Sequence, residues 1–146
     1  MKTINEMKLT FESKSINEGF SRVAVASFAA ALDPTIEELN DIKTAVSEAV
    51  TNAIVHGYRE KMGKIYITAA ITDQNIIRIK IRDRGVGIED IEQARQPLFT
   101  TLGGERAGLG FAVMESFTDK LSVRSAPGHG TTVTLEKKIS GKALNP

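Results

Sequence analysis

One helix-forming stretch, residues 35–57, constrains the fold more than any other part of the chain. It opens with Thr35-Ile36-Glu37-Glu38, a capping box that marks a helix start, and Gly57 is a typical helix end. Between them the apolar residues recur with helical spacing, which predicts one face packed into a core. That face comprises Ile42, Ala45, Val46, Ala49, Val50, Ala53 and Ile54. We therefore expect a long amphipathic helix at the centre of the fold.

Three polar residues run along the edge of this apolar face. Glu48, Asn52 and His56 are spaced four apart, so they lie one above the other on one side of the helix. Asn is a poor residue inside a helix, and a hydrogen-bond or metal partner would explain its place there. Glu48 is equally compatible with an ordinary surface carboxylate, and His56 with a favourable helix-dipole interaction. The row indicates either solvated side chains or a polar site at the rim of the core.

The remaining periodicity predicts a mixed order of strands and helices. In chain order we expect a strand at 7–14, helices at 15–32 and 35–57, strands at 64–72 and 75–83, an irregular segment at 84–110, a helix at 111–121, and strands at 121–126 and 130–138. The first helix opens with its own capping box, Ser15-Ile16-Asn17-Glu18. Strands joined by short turns pair antiparallel. This predicts a single α+β domain over 1–146, a two-layer sandwich with one mixed, mainly antiparallel sheet and helices on one face.

Composition argues against several classes of function. The formal net charge of +1 gives no bulk attraction to nucleic acid or to a membrane surface. There is no cysteine, and the histidines are His56 and His129, which argues against disulfides, zinc ribbons and multi-histidine metal sites. The apolar runs are too short to span a bilayer, and the N-terminus lacks a signal-peptide pattern. We expect a soluble cytoplasmic protein.

Four polar or glycine-rich pieces occur along the chain. They are Glu48-x3-Asn52-x3-His56, Asp83-x-Gly85-x-Gly87, Gly108-x-Gly110 and Gly130-Thr131-Thr132. The second piece ends a strand and is compatible with a simple turn that has two positive-φ glycines. The third is expected to open the last helix, where free amides can bind an anion, or to form a hinge.

Together these pieces resemble the Bergerat-type ATP-binding fold that gyrases, heat-shock chaperones, histidine kinases and mismatch-repair ATPases share. Within that superfamily the resemblance is closer to the sporulation anti-sigma factors, serine kinases that hold the sigma factor sigma-F. It rests on the runs NEGFSRVAVASFAAALDPTIEEL, EAVTNAIVHGY, IRDRGVGI, EQARQPLFTT and ERAGLGF, and it extends over almost the whole chain. The ARQPLFTT run is far more specific to that family than the glycine motifs. The resemblance implies ATP and Mg²⁺ as cofactors.

The resemblance also implies roles in catalysis and metal binding. Asn52 would ligate the magnesium ion that bridges the ATP phosphates, a role that suits a neutral oxygen ligand. Glu48, one helical turn or about 6 Å away along the helix axis, would be the general base for the attacking serine hydroxyl. Phosphoryl transfer depends mainly on positioning and on charge neutralisation, which such residues supply.

A set of nucleotide contacts follows from the same resemblance. Asp83 would accept a hydrogen bond from the adenine amino group, and Gly85 and Gly87 would let the backbone approach the base. The other residues implied are Thr131 near the adenine, Thr100 as a further nucleotide contact, Gly108 and Gly110 at the phosphates, and Arg106 at the γ-phosphate.

One segment departs from the family pattern. Between Thr101 and Glu105 the chain reads Leu102-Gly103-Gly104, where the family usually has a slightly longer Lys-Pro-containing segment. The assignment of Arg106 therefore relies on the A-G-L-G-F run that follows. The glycines predict a loose lid over residues 95–110 that orders around the phosphates.

Arg22 on the first helix is the candidate partner-binding residue. From the residues alone it is a solvated charge beside a core stripe, since many surface charges contribute nothing measurable. The neighbours that define this stripe are Phe20, Val23, Ser27 and Phe28. The resemblance implies instead that Arg22 contacts both a sigma factor and the competing anti-anti-sigma protein.

The function expected from the resemblance is that of an anti-sigma factor and ATP-dependent serine kinase. It would bind and inhibit sigma-F and phosphorylate the anti-anti-sigma antagonist on serine, as a homodimer without direct contact to nucleic acid or membrane. Two alternatives stay open: a general-stress-type anti-sigma serine kinase, and an ATP-dependent binding module without phosphotransfer. Glu48 distinguishes the second, because a module without chemistry has no need of a carboxylate there.

Overall fold

The chain forms a five-stranded sheet covered by helices. The computed structural model describes residues 1–59, 61–95 and 104–141, with no side chains described for residues 104–109. Its elements are β1 (Thr3–Glu12), α1 (Ile16–Ala29) with a 3₁₀ turn (Ala30–Leu32), α2 (Ile36–Asn52) continued by a π-helical turn (Ala53–Gly57), β2 (Lys64–Thr72), β3 (Ile76–Asp83), α3 (Ile91–Ala94), α4 (Gly104–Phe117), β4 (Lys120–Ser125) and β5 (Thr131–Lys138). Within the described residues, none of the helices has the length and apolar character that a bilayer crossing requires.

The sheet order is β1-β2-β3-β5-β4, and each of these neighbouring pairs is antiparallel. The α+β class and the mainly antiparallel sheet are therefore confirmed, and the sheet contains no parallel pair among its described strands. Short turns account for two of these pairs, β2–β3 and β4–β5, whose strands follow each other directly in the chain.

The core lies between the helices and the inner face of the sheet. Every second residue of the central strands points inward, as the pleat requires. These buried residues include Ile65, Ile67, Ile77, Ile79, Ile81, Val133 and Leu135. Helix α2 contacts both α1 and α4. Its predicted apolar face is confirmed, with Ile54 partly buried and the other six residues fully buried. The central position expected for this helix therefore holds.

Helix α1 begins at Ile16, directly after Ser15, as predicted, but its predicted cap and the predicted start of β1 are wrong. Ser15 has helical φ and ψ and makes no side-chain cap hydrogen bond, so the first capping box does not form. Its intended partner, Glu18, instead accepts a hydrogen bond from Ser47 and pairs with Arg22. Strand β1 begins four residues before the predicted start because it pairs with β2 along its whole length.

Helix α4 also differs from the prediction. It begins at Gly104, so Gly108 and Gly110 lie inside the helix rather than opening it. The residues between these glycines and the helix start are mostly strong helix formers, which outweigh the cost of about 1 kcal/mol for each glycine. The helix ends at Phe117, four residues early, because Lys120 already pairs with Glu136 of β5.

The start of α2 is held by both halves of the predicted capping box. The Glu38 amide donates to the Thr35 hydroxyl at 3.1 Å, and the Thr35 amide donates to the Glu38 carboxylate at 3.0 Å. The same carboxylate accepts hydrogen bonds from the amides of Ser140 and Gly141 at 2.7 and 3.1 Å. Burial disfavours the charged form, but these backbone hydrogen bonds lower the pKa of Glu38 below its ordinary value.

We predict that Glu38→Gln lowers the free energy of unfolding at neutral pH. A carboxyl whose pKa is depressed in the folded state adds stability above its unfolded pKa and loses it as the pH falls through the folded value. The deficit of the variant should therefore shrink in acid. Urea unfolding at neutral pH and below the ordinary glutamate pKa measures it. Glu37→Gln, at an exposed neighbouring position, is the matched control. A deficit independent of pH would contradict the prediction.

Candidate functional site

Helices α2 and α4 meet where Glu48, Asn52 and Gly110 come together. A methyl group on Gly110 would lie 3.0 Å from Asn52 Nδ2 and 3.2 Å from Glu48 Oε2. Gly110 is buried, so its lack of a side chain lets α4 approach these two polar groups. The predicted proximity of Glu48, Asn52 and Gly110 is therefore what the structure has.

The Asn52 amide is buried without a hydrogen-bond partner among the described residues. Asn52 is 8% exposed, and neither its Oδ1 nor its Nδ2 makes a hydrogen bond there. Leaving a buried polar group unsatisfied costs about 1–3 kcal/mol, so such a group needs an explanation. A hard cation fits, because the amide oxygen is a suitable ligand and Mg²⁺ takes few ligands from protein when phosphates and water supply the rest.

Asp83 forms a second cluster, at the end of β3 on the inner face of the sheet. Its side chain is 4% exposed, and its Oδ1 accepts a hydrogen bond from the Gly85 amide at 2.9 Å. Burial raises the pKa of Asp83, and hydrogen bonds from the amides of Gly85 and Thr131 oppose this shift without cancelling it. Thr131 stands opposite Asp83 in the β3–β5 register. The predicted adenine residues Asp83, Gly85 and Thr131 are thus neighbours.

The two clusters are joined by Gly57, at the end of the π-helical turn. A methyl group there would lie 2.8 Å from Asp83 Cγ. The Gly57 carbonyl accepts a hydrogen bond from the Val86 amide at 2.9 Å, and a methyl group on Gly85 would overlap that carbonyl. The end of α2 therefore packs directly on the loop that follows β3. Asn52 precedes Gly57 by five residues and Asp83 packs against Gly57, so the two clusters are linked through this glycine.

The two glycines after Asp83 are required for different structural reasons. Gly87 has φ +76, and its Cα faces the Ala126 carbonyl so closely that a methyl group would overlap it. Gly85 is outside the positive-φ region, so the turn with two positive-φ glycines is not what forms. Gly85 is needed for close approach to Gly57 and Gly87 for its backbone conformation.

Tyr58 is a site residue that the sequence analysis missed. Its buried hydroxyl donates to the Lys64 carbonyl and accepts a hydrogen bond from the Arg84 amide at 2.8 Å. It thereby ties the start of β2 to the residue after Asp83, and its bond with Arg84 joins residues 26 positions apart in the sequence. A methyl group on Gly63 would overlap the tyrosine ring. No local pattern in the sequence signals this contact.

The structure describes only some of the other predicted site residues. Gly108 lies within α4, and the Arg106 side chain is outside the described residues. Thr100 also lies outside them, as does half of the predicted lid at 95–110, namely residues 96–103. Arg22 lies on α1, near Glu18 rather than in either cluster.

Comparison with known proteins identifies the family. The model of the histidine kinase-like ATPase domain matches residues 15–137. The anti-sigma F factor of Thermoanaerobacter sp. (strain X514) is 61% identical over 140 residues, which cover 95% of this chain and 97% of that protein. That of Bacillus subtilis (strain 168) is 56% identical over 143 residues, covering 96% and 97%. The chain belongs to the anti-sigma F factor family, within the histidine kinase-like ATPase domains. The resemblance seen in the sequence is confirmed.

Two solved structures share the fold. The RsbU and RsbW domains of Rv1364c from Mycobacterium tuberculosis match with a TM-score of 0.69 and 22% identity, over 93% of this chain and 33% of that one. The blue-light activated histidine kinase of Erythrobacter litoralis EL346 matches with a TM-score of 0.60 and 21% identity, over 86% and 42%. At these identities the likeness concerns the fold alone, which is an ATP-binding one by its family.

We predict that Gly57→Ala weakens ATP binding by about tenfold or more. The added methyl group would push Asp83 from its position, and a hydrogen bond to a charged group is worth about 1.5–3 kcal/mol. A calorimetric titration with ATP measures the loss, and urea unfolding shows that the variant remains folded. Gly19→Ala is the control, because its methyl group would make an ordinary 3.5 Å contact with Arg22. Unchanged ATP affinity in Gly57→Ala would show that Asp83 does not bind the adenine.

Proposed function

We propose that this anti-sigma F family member is an ATP-dependent protein serine kinase as well as an anti-sigma factor. It binds and inhibits a sigma factor of the sigma-F type and phosphorylates that factor's anti-anti-sigma antagonist on serine. One observation carries the catalytic part. The Asn52 amide is buried without a described partner and lies beside the Glu48 carboxylate. A polar pair of this kind at the rim of the core suits phosphate chemistry better than packing.

The described residues suggest how ATP is held. The Asp83 carboxylate accepts a hydrogen bond from the adenine amino group, and its fixed position depends on Gly57, Gly85 and Thr131. Asn52 Oδ1 would hold a magnesium ion, which supplies charge neutralisation on the phosphates when bound. The triphosphate would be held where α2 meets α4, by Asn52 through the magnesium ion.

Phosphoryl transfer needs one further group, and Glu48 is suited to it. The serine oxygen of the antagonist forms a bond to the γ-phosphorus while the bond to the β–γ bridging oxygen breaks, which releases ADP. The serine proton passes to the Glu48 carboxylate as the new bond forms. Glu48 is half-buried and lies one helical turn from Asn52, so a nucleophile bound beside the γ-phosphate comes within its reach.

The surface around Arg22 supports the partner half of the proposal. Phe20 and Val23 are 54% and 57% exposed, and Ile16 is exposed as well. The expectation that Phe20 and Val23 form a core stripe is therefore wrong, because α1 buries Ser21, Val25, Ala26 and Ala29 instead. The structure thus leaves apolar side chains exposed on α1, the helix that also carries Arg22.

Glu18 holds this guanidinium in place. Its carboxylate lies 3.4 Å from Arg22 Nε in an ion pair without hydrogen-bond geometry. An arginine positioned in this way can still make bidentate hydrogen bonds to an acidic group on a partner. We propose that this surface contacts the sigma factor and the antagonist in turn, on a cytoplasmic homodimer.

Glu48→Gln tests the catalytic role. We predict that the variant binds ATP like the parent and loses phosphotransfer by about 10²–10⁴-fold, because glutamine cannot take the serine proton. Transfer from labelled ATP to the antagonist measures this. In contrast, Asn52→Ala should already fail at magnesium-dependent ATP binding. A Glu48→Gln variant with near-parental transfer would favour a structural role for Glu48. A parent that binds ATP and transfers nothing would favour the pure binding module.

Arg22→Ala tests the partner surface. We predict weaker capture of the sigma factor with unchanged ATP binding, because α1 supplies none of the residues around Asn52 and Asp83. Calorimetric titrations with sigma factor and with ATP give the two readouts. Arg22→Lys is the informative comparison, since it keeps the charge without the bidentate geometry and should recover only part of the affinity. Undiminished sigma binding in Arg22→Ala would remove this surface from the interface.

A further inference from the structure

The outer face of the sheet carries a cluster of cations at the end where β3 leaves the sheet. We call Lys80, Arg82, Arg84 and Arg124 the basic patch. In the strand register, Arg82 and Arg124 both stand opposite Thr132, one on each side. The two arginines are therefore about 10 Å apart across the sheet, and Lys80 lies about 7 Å from Arg82 along β3. All four side chains are exposed.

No described acidic side chain neutralises the basic patch. The ion pairs of the outer face join Arg78 and Lys120 to Glu136, in the row beyond Lys80. Within the described parts of the chain, none of the ion pairs includes a member of the basic patch. One end of the face is thus charge-balanced while the other carries four cations, against a formal net charge of only +1 for the whole chain. A local field of this kind favours an anionic partner.

The basic patch also has hydrogen-bonding groups beside its cations. It borders an open depression of ≈ 550 Å³ on this face of the sheet. Its lining includes Lys80, Arg82, Arg124, Thr68, Ser125 and Thr132. Hydroxyls beside cations suit carboxylates, which accept hydrogen bonds from both kinds of donor.

Two other occupants fit the patch less well. Single-stranded nucleic acid gains much of its affinity by stacking on aromatic rings, but the ring at the patch, Tyr66, already has the Arg84 guanidinium over it at 4.9 Å from its centroid. A second copy of the chain, docked symmetrically through this face, would place like charges opposite each other. An acidic polypeptide has neither difficulty.

We propose that the basic patch is a docking surface for an acidic segment of a partner protein. It goes beyond the proposed kinase and sigma-binding functions and does not use their residues. Asp83 points to the inner face of the sheet, whereas Arg82 points outward, because neighbouring residues of a strand alternate between faces. Docking on the patch should therefore be possible with and without ATP.

The test is a fluorescence anisotropy titration of the full chain, without nucleotide, against a labelled peptide of alternating glutamate and serine. A peptide of about eight residues spans about 27 Å when extended, enough to cross the sheet. We predict that Arg82→Ser/Arg124→Ser weakens binding about tenfold, since it removes two exposed ion pairs. Added salt should weaken parental binding as well. Lys2→Ser/Lys14→Ser is the matched control, because it removes the same charge from exposed sites outside the patch.

Each remaining outcome decides the proposal. If the two double variants lost equal peptide affinity, the effect would be one of net charge alone and the proposal would be overturned. Absence of peptide binding by the parent would overturn it as well. Tighter binding of a single-stranded RNA of matched charge would overturn the choice of a polypeptide. If the double variant fails to fold, Lys80→Ser tests the patch in its place, with a smaller expected loss of peptide affinity. Conversely, Arg82→Glu/Arg124→Glu should prefer a lysine–serine peptide, which would support a specific electrostatic surface.

Discussion

The contact between Gly57 and Asp83 is the constraint on which the site depends. Helix α2 crosses the core and must end against the loop after β3, and the space at that junction excludes even a methyl group. This close packing fixes Asp83 at one end and, five residues back along the helix, Asn52 at the other. A buried carboxylate and a buried amide are costly in isolation. The Gly85 amide offsets part of this cost for Asp83, whereas Asn52 has no hydrogen-bond partner among the described residues. In the proposed function, a nucleotide and its cation would satisfy both groups.

Features with a strong local signal were predictable. The strand pair β2–β3 follows from period-two alternation, and β2 occupies the predicted span, Lys64–Thr72. The capping box at Thr35 formed because its two partners are three residues apart and need nothing else. The polar row on α2 indicated either solvated side chains or a polar site at the rim of the core. The structure shows Asn52 buried without a described partner, which favours the second interpretation.

Features that depend on distant partners were not predictable. Ser15-x-x-Glu18 has the same local pattern as the box at Thr35. However, the Glu18 carboxylate accepts a hydrogen bond from Ser47 on α2, 29 residues away, and the capping box does not form. The Tyr58 hydroxyl likewise bonds across the fold. The π-helical turn at the end of α2 has no signature in its sequence, although it brings Gly57 to Asp83. In each case a tertiary contact, absent from any short window, decided the local conformation.

The hydrogen bonds of Glu38 have a consequence for how the chain folds. Its bonds with Thr35 can form in an isolated helix, whereas those from Ser140 and Gly141 span 102 and 103 residues. These long-range bonds require β5 to be in place, and contacts of such separation carry a large loop-closure entropy that slows folding. The first turn of α2 and the segment that follows β5 therefore gain their full stability together. This coupling disfavours partially folded forms in which the final strand is detached.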